Sequence, residues 1–177
     1  MSFWRRLGTL AAVLALTIGL DRVGKLLAIA LLRGLPPQSF LSGLFRLQYS
    51  ENPGSFLSLG AGLPEEARFW LLEVALGVFL AGMLVFALVG RLRPLAVLGL
   101  GFVVGGGLGN WLDRVLYGNV VVDFMNVGLG PVRSGVFNFA DLFLEVGIGL
   151  ILWDQLRGGK PAVTTATAED TRDTESR

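Results

Sequence analysis

The stretch that decides the fold runs from Gly105 to Asp141 and contains two polar motifs, Gly109-Asn110-Trp111-Leu112-Asp113-Arg114 and Phe137-Asn138-Phe139-Ala140-Asp141. The first motif ends one apolar segment and the second begins the next, with a short loop carrying Asp123 between them. In a helix, residues spaced i and i+3 share a face, so each motif brings an asparagine and a carboxylate together. Ionisable groups at membrane depth are costly unless they are paired or line a wet cavity. The stretch therefore indicates a functional site between two apolar helices.

The composition of the chain is typical of a membrane protein. Of its 177 residues, 53% are hydrophobic and the mean hydropathy is +0.63, whereas soluble domains are about 45 to 50% apolar. The basic residues behind the net charge of +1 are spread along the chain, and nucleic-acid binding needs them concentrated on one face. We therefore expect a membrane protein that has no nucleic-acid partner.

The sequence contains no cysteine and no histidine. This composition excludes disulfides, thiol nucleophiles, Cys/His zinc sites and a Ser-His catalytic pair. Catalysis would have to use Asp, Glu, Lys, Ser or Tyr, and neither a metal nor a cofactor is expected.

Four apolar segments predict four transmembrane helices, at about residues 7–32, 69–89, 95–116 and 137–153. The first segment follows two arginines like a signal peptide, but its roughly 26 residues make about 39 Å of helix, enough to span a bilayer. The predicted fold class is an all-α polytopic membrane protein whose residues 1–157 form one four-helix transmembrane domain. Residues 158–177 have too few large apolar side chains to order themselves and are predicted to be a disordered cytoplasmic tail.

The connection between the first two spans breaks the apolar pattern. Phe45, Leu47 and Tyr49 alternate with polar residues, which predicts a half-buried strand. Asn52-Pro53-Gly54 predicts a turn, after which residues 56–59 could return as a second strand. We expect a small β-hairpin, an amphipathic element that lies on the bilayer surface in the first outer loop.

Three glycines recur at every fourth position of the third span, at Gly101, Gly105 and Gly109. A stripe of small residues at this spacing favours close helix packing in membranes. It is not a dinucleotide-binding fingerprint, because no strand-turn-helix unit surrounds it.

The orientation of the spans follows from the basic residues in the short flanks. Arg5 with Arg6, Arg91 with Arg93, and Arg157 with Lys160 all fall on one side if there are four spans. The positive-inside rule makes that side cytoplasmic. We therefore expect a multi-pass protein with both termini in the cytoplasm and the polar motifs near the outer face.

Asp123 and Asp141 are the carboxylates that have no cation nearby in the sequence. If they approach each other, they cannot both ionise comfortably and would share a proton. One member could then activate a water and the other donate a proton, which is the chemistry of aspartic peptidases. The plainer interpretation is an Asp113-Arg114 structural ion pair, with Asp141 stabilised by a helix N-terminus.

The motifs together resemble those of the bacterial lipoprotein signal peptidases, also called signal peptidase II. The resemblance covers nearly the whole chain except the tail, and it rests on residues 21–25, 52–54, 109–114, 122–124 and 137–141. It implies an intramembrane aspartic endopeptidase of the bacterial inner membrane, which cuts the signal peptide of a diacylglyceryl-modified prolipoprotein just before the lipidated cysteine. Its partners would be that substrate and membrane lipid, and we expect a monomer.

By the same resemblance, Asp123 and Asp141 are the catalytic pair. The residues expected to support them or to bind substrate are Asn52, Asn110, Asp113, Arg114, Asn138, Asp21 and Lys25. At i and i+4, Asp21 and Lys25 can also pair along one helix face.

The sequence departs from the family pattern at several positions. Arg22 and Gly24 stand where the family usually has glutamine and a threonine or serine, and Leu142 stands where serine is common. Phe56 also follows Ser55 at once, where the family tends to have more small residues first. These positions concern substrate contacts more than the reaction.

Three alternatives remain open from the residues alone. A catalytically altered relative would bind lipidated peptides without cutting them. A proton-coupled transporter would relay protons through acidic residues, namely Asp113, Asp123, Asp141 and Glu145. A Ser-Lys peptidase would use Lys25 as its base with a loop serine, Ser50, Ser55 or Ser134. The sequence assigns no role to Glu73 or Glu145.

Overall fold

The computed structural model describes residues 1–54 and 62–158. Four long helices account for most of this chain: α1 (Phe3–Leu32), α2 (Glu65–Val89), α3 (Pro94–Tyr117) and α4 (Phe139–Gly158). Each coincides with one of the four predicted apolar segments. The predicted return strand at 56–59 and the tail beyond residue 158 lie outside the described residues.

The helix ends follow local chemistry. Proline lacks an N–H and suits the start of a helix, and Pro94 is the first residue of α3 while Pro64 directly precedes α2. Gly118 ends α3 with a φ of 70°, a left-handed conformation that glycine adopts at low cost. The sequence therefore explains where these two helices begin and where α3 ends.

Helix α3 lies between α1 and α4 because glycines on two of its faces admit close approach. A Cβ atom added at Gly101 would lie 3.2 Å from Leu10 and Val13 of α1. At Gly109 it would lie 2.7 Å from the carboxylate of Asp21. On another face, a Cβ at Gly106 would lie 3.0 Å from Leu144 of α4. The predicted close packing at the glycine stripe is confirmed.

A four-stranded antiparallel sheet joins the two connections on the side of the polar motifs. Its strands, in spatial order, are β1 (Gln38–Phe40), β2 (Phe45–Asn52), β3 (Val121–Leu129) and β4 (Val132–Arg133). The predicted strand at Phe45 is confirmed. However, the loop predicted between the third and fourth spans is wrong for residues 121–129, which form β3 and include Asp123. This strand pairs with β2, placing Asp123 opposite Ser50.

The sheet packs on the end of α1. Ala28 and Leu32 form a buried cluster with Val122, Phe124 and Met125 of β3. Burying this apolar surface fixes the sheet over the helices. As a result, β3 runs past the polar residues of α3 and α4.

Two of the described helices, α2 and α3, are long and apolar enough to cross a membrane. Only 11% of the most apolar window of α2 is buried inside the protein, compared with 56% of that of α3. Helix α2 thus presents an apolar surface outward, while α3 forms the centre of the helix bundle.

Candidate active site

Asp123 lies on β3 and is almost fully buried, with 3% of its surface exposed. Its Oδ2 accepts a hydrogen bond from Nδ2 of Asn52 at 3.1 Å. Its Oδ1 accepts one from Nδ2 of Asn138 at 2.6 Å. Both oxygens of this carboxyl group therefore face uncharged amide donors.

Asp141 lies in the first turn of α4 and is held there by the residue that caps the helix. Asn138 accepts a hydrogen bond from the backbone N–H of Asp141 at 3.0 Å through its side-chain oxygen. Asp141 Oδ2 in turn accepts one from the backbone N–H of Asn138 at 3.1 Å. This reciprocal pattern is a capping box, and it satisfies two N–H groups that would otherwise lack partners. The remaining oxygen, Oδ1, accepts from Nδ2 of Asn110 at 2.8 Å.

Asn138 connects the two carboxylates. It is fully buried, and it contacts Asp123 through its side-chain amide and Asp141 through both its backbone and its side chain. The same amide donates to Oδ1 of Asn110 at 3.0 Å. The structure therefore brings Asp123, Asp141, Asn52, Asn110 and Asn138 into one hydrogen-bonded group, as the motifs predict.

Burial, and after it the negative charge of Asp141, raise the pKa of Asp123 to about 7. Hydrogen bonds from Asn52 and Asn138 and the charge of Lys25 oppose the rise, because they favour the ionised form. Asp123 therefore exchanges its proton near neutral pH, which is the range in which a general acid is most effective.

A second polar cluster lies beside these residues and is built from full charges. Nζ of Lys25 is 2.8 Å from Oδ2 of Asp21 and 3.0 Å from Oδ2 of Asp113. It also donates to Oδ1 of Asn110 at 2.9 Å. The side chains of this triad of Asp21, Lys25 and Asp113 are at most 1% exposed. The predicted pairing of Asp21 with Lys25 is confirmed.

The plainer interpretation, a structural ion pair between Asp113 and Arg114, is wrong. Asp113 instead pairs with Lys25 and with Arg22, while Arg114 donates to the backbone carbonyls of Asn110 at 3.1 Å and Gly54 at 2.9 Å. Consecutive residues of a helix point about 100° apart, so they seldom face the same partner. Arg22 also donates to the hydroxyl of Tyr117 at 2.9 Å.

The triad contacts the backbone beside each candidate catalytic residue. Asp113 Oδ2 accepts a hydrogen bond from the N–H of Val122 at 3.0 Å, and Val122 directly precedes Asp123. Asp21 Oδ1 accepts one from the N–H of Ala140 at 3.0 Å, and Ala140 directly precedes Asp141. These two contacts were missed from the sequence, because its spacing does not indicate which backbone groups a distant carboxylate will reach.

The departure from the family pattern at Gly24 has a packing reason. A Cβ atom there would lie 2.7 Å from the ring of Phe139 and 2.9 Å from that of Phe124. These two rings pack edge to face, with centroids 5.5 Å apart. Gly24 therefore admits a pair of aromatic side chains between α1 and the candidate site.

Two of the remaining candidates have other partners. Lys25 is committed to Asp21, Asp113 and Asn110, and Ser134 donates its hydroxyl proton to the backbone carbonyl of Gly135 at 2.7 Å. Ser55 and Phe56 lie outside the described residues. Within residues 1–54 and 62–158, no three acidic side chains are grouped so that they could hold a metal ion.

The two acidic residues to which the sequence assigned no role lie on different helices. Glu73 lines an apolar cleft of about 400 Å³ between α2 and α3, and its backbone carbonyl accepts a hydrogen bond from Nε1 of Trp111 at 2.8 Å. It lies in a π-helical segment, Phe69–Ala75. Glu145 is exposed on α4, one turn after Asp141.

Comparisons with known proteins agree with the resemblance inferred from the motifs. The family described as Signal peptidase (SPase) II matches residues 13–157 of the chain. A lipoprotein signal peptidase of Gloeobacter violaceus is 36% identical over 156 residues, which cover 88% of this chain and 82% of that protein. A lipoprotein signal peptidase of Methylocella silvestris is 33% identical over 162 residues, covering 90% of this chain and 91% of that protein.

The fold also resembles that of a solved structure. A bacterial membrane enzyme determined by the in meso method at 2.3 Å resolution matches with a TM-score of 0.71 and 20% sequence identity, covering 94% of this chain and 95% of that one. At this identity the likeness shows the fold alone. This chain therefore shares its architecture, helices with a small antiparallel sheet, with a bacterial membrane enzyme.

Proposed function

The chain belongs to the signal peptidase II family, and from this membership we propose that it is an aspartic endopeptidase acting on diacylglyceryl-modified prolipoproteins. It removes the signal peptide by cutting just before the lipidated cysteine. Asp123 and Asp141 are the catalytic pair in this proposal. No cofactor takes part in it.

The observation that supports this assignment most directly is the contrast in partners among the buried carboxylates. Asp21 and Asp113 each pair with a cation. Asp123 and Asp141 form no ion pair within residues 1–54 and 62–158 and share Asn138 as a neighbour. A carboxylate neutralised by a cation is a poor proton carrier, whereas two unpaired carboxylates close together can hold one proton between them.

The proposed reaction uses the protonated form of Asp123 and the ionised form of Asp141. Asp141 takes a proton from a water molecule whose oxygen attacks the scissile carbonyl carbon, while Asp123 donates its proton to the carbonyl oxygen. The tetrahedral intermediate then collapses. Asp141 passes its proton to the leaving amine nitrogen as the C–N bond breaks, and a hydroxyl of the intermediate returns a proton to Asp123. The pair ends in its starting state.

Arg114 and the three asparagines support the pair in this proposal. Arg114 interacts electrostatically with both carboxylates, which reduces the cost of bringing two acidic groups together. It also holds the carbonyl of Gly54, next to the turn that positions Asn52. Hydrogen bonds from Asn52, Asn110 and Asn138 then set the orientation of each carboxyl group.

We also propose that all four helices span the bacterial inner membrane of a monomeric enzyme, with both termini in the cytoplasm. This proposal is supported by the basic residues at the end of the bundle away from the two carboxylates. Arg6 donates to the carbonyls of Leu88 and Leu92, and Arg93 pairs with Asp154 at 3.0 Å. By the positive-inside rule that end faces the cytoplasm, so the catalytic pair lies near the outer face.

The test is cleavage of a synthetic peptide with a diacylglyceryl cysteine by the purified protein in detergent. We expect Asp123→Asn and Asp141→Asn each to lower the rate about 10²–10⁴-fold, the usual contribution of a general acid or base. Asp154→Asn, at the opposite end of the bundle, is the matched control and should cut at close to the wild-type rate. If both variants still cut, the assignment of the pair is wrong. A wild-type protein that binds the peptide without cutting it would support the catalytically altered alternative.

A further inference from the structure

The sheet ends in two turns that expose large apolar side chains at the same place. Leu41 is 75% exposed in the turn between β1 and β2, while Leu129 and Val132 are 73% and 77% exposed around the turn between β3 and β4. We call residues 40–44 and 129–132 the sheet tip. Exposed apolar groups clustered at one place usually mark a contact surface.

The two turns of the sheet tip form one unit although they are far apart in sequence. The N–H of Gly128 donates to the carbonyl of Leu44 at 2.9 Å. Arg133 donates to the carbonyl of Gly43 at 2.8 Å. These bonds hold the first turn beside the second, so the exposed apolar side chains of both turns lie at the same end of the sheet.

The first turn holds its apolar side chain in a costly backbone conformation. Leu41 has a φ of 50° and Ser42 a φ of 54°, in the left-handed region that residues other than glycine rarely adopt. Such a conformation persists only where the surrounding structure holds it. Here it belongs to a tight turn that leaves the leucine side chain 75% exposed.

Two arginines lie just behind the sheet tip. Arg46 is one residue into β2 and Arg133 is on β4, and their charges are close enough to repel each other. Neither pairs with a carboxylate within residues 1–54 and 62–158, and the guanidinium of Arg133 donates to uncharged groups of the sheet, Asn126, Gly43 and Gly128. Apolar side chains in front of arginines that no carboxylate neutralises are the arrangement by which protein surfaces bind the boundary between lipid headgroups and acyl chains.

The tip also lies away from the catalytic pair. Six residues of β3 separate Asp123 from Leu129, or about 20 Å at about 3.3 Å per residue. Helix α1 packs under the middle of the sheet, at Val122, Phe124 and Met125, so the tip extends beyond the part of the sheet that α1 supports. Since β1 begins six residues after α1 ends, the tip stays near the outer end of a helix that the proposed topology places across the bilayer.

We propose that the sheet tip inserts into the outer leaflet, with its apolar side chains among the acyl chains, Arg46 at the lipid phosphates, and Arg133 adding its positive charge from within the sheet. The inference rests on the membrane topology of the proposed function. It gives the sheet a second attachment to the bilayer besides α1 and thereby fixes the height of β3, and of Asp123, relative to the membrane.

The chain contains no cysteine, so single-cysteine variants can be labelled cleanly with a nitroxide. The full chain is reconstituted in vesicles of phosphatidylethanolamine and phosphatidylglycerol, and collisions with oxygen, which prefers acyl chains, are compared with those of a water-soluble nickel complex. We expect the labels at Leu41→Cys, Leu129→Cys and Val132→Cys to show a ratio of oxygen collisions to nickel collisions several-fold higher than that of a label exposed to water. Glu51→Cys, at the opposite end of β2 and with a 47% exposed side chain, is the aqueous control and should favour nickel.

A label at Val78, which is 70% exposed on α2, distinguishes failure of this inference from failure of the topology. If Val78→Cys favours nickel, the spanning helices themselves are wrong. If Val78→Cys favours oxygen while the tip labels favour nickel, the insertion of the tip is wrong. Broadening between tip labels that grows with protein density would assign the tip to a second copy, and an acyl-chain signal that requires added lipidated peptide would assign it to substrate. Either result overturns the proposal.

A separate experiment tests whether arginine contacts anionic lipid. Arg46→Gln should lower the oxygen preference of the Leu41 label in vesicles that contain phosphatidylglycerol, and it should do so less in vesicles that lack this anionic lipid. An equal effect in both kinds of vesicle, or no effect in either, would exclude the contact with anionic lipid phosphates.

Discussion

Two groups of buried carboxylates lie side by side in this protein and differ in their partners. Asp21 and Asp113 contact the ammonium of Lys25, and each also accepts a hydrogen bond from a backbone N–H group, Asp21 from α4 and Asp113 from β3. Asp123 and Asp141 receive hydrogen bonds from asparagine amides. The first group has two cations, Lys25 and Arg22, for its two carboxylates, while the carboxylates of the second group have only uncharged side-chain donors among the described residues.

This difference in partners indicates what determines whether a buried carboxylate is neutralised. Burial alone raises the cost of ionisation for both groups. A cation at about 3 Å offsets that cost and fixes the charge, whereas an amide donor orients a carboxyl group without neutralising it. The charged triad thus holds the backbone beside Asp123 and Asp141, and the amides orient these two carboxyl groups without neutralising them.

The largest effect on stability is expected from removing the cation of the triad. Lys25→Met leaves Asp21 and Asp113 buried without their shared partner, which should destabilise the protein by about 3–5 kcal/mol. The measurement is thermal unfolding in detergent, with cleavage normalised to folded protein. Asp123→Asn provides the opposite case, because it should abolish most cleavage with little loss of stability. If Lys25→Met were as stable as wild type, the structural role of the triad would be wrong.

A smaller loss is expected where α1 packs against the aromatic pair. Gly24→Ala places a methyl group against Phe139 and Phe124, and overpacking of this kind costs about 1–3 kcal/mol. Gly19→Ala is the matched control on the same helix, because nothing lies within 4 Å of its added Cβ. That variant should be neutral or slightly more stable, since alanine favours helix over glycine. Equal unfolding temperatures for the two variants would contradict the packing explanation.

The amide donors should tune the pH dependence of cleavage. With the pKa of Asp123 raised to about 7, wild-type activity should fall as pH rises through that value, because Asp123 loses the proton that it donates. Asn52→Ala removes a hydrogen bond that favours the ionised form, so the pKa should rise and the alkaline limb should move upward by up to about one pH unit, or about 1.4 kcal/mol.

The measurement for this variant is the pH profile of kcat/KM with a lipidated peptide. Tyr49→Phe is the control, because it changes the same strand by removing a hydroxyl that contacts Glu51 rather than Asp123. An alkaline limb that moves downward in Asn52→Ala, or that moves equally in both variants, would exclude Asp123 as the proton donor.

The smallest effect is expected at the outer edge of the triad. Arg22→Gln removes one partner of Asp113 but leaves Lys25 and the N–H of Val122 in contact with it. Because the side chain of Arg22 is 20% exposed, the loss should be about 1 kcal/mol or less, with cleavage nearly unchanged. Thermal unfolding and cleavage are measured for Arg22→Gln and Lys25→Met side by side, and Arg22→Gln should lose less stability. A loss as large as that of Lys25→Met would mean that Arg22 belongs to the structural centre.

The helices and much of the candidate site could be predicted from local patterns. Apolar length placed all four helices, and the i, i+3 spacing of Asn110 with Asp113 and of Asn138 with Asp141 indicated two polar faces that meet in the structure. The first strand of the hairpin was equally visible, because Phe45, Leu47 and Tyr49 alternate with polar residues and pack on the cluster beneath the sheet. Such patterns are local, and they can be read from the sequence whenever one side of a helix or strand is buried.

The tertiary structure decided which residues meet across the chain. β3 escaped prediction because Val121–Met125 is buried throughout, so its sequence shows no alternation. The sequence offered only the neighbouring Arg114 as a cation for Asp113, yet Asp113 pairs with Lys25 and Arg22 of α1, more than 80 residues earlier. Sequence alone determined which charged groups this protein had to bury. Only the packing of α1 against α3 and α4 determined which of them would neutralise one another and which would remain without a cation. That choice depends on distances between elements, which local spacing in the sequence does not contain.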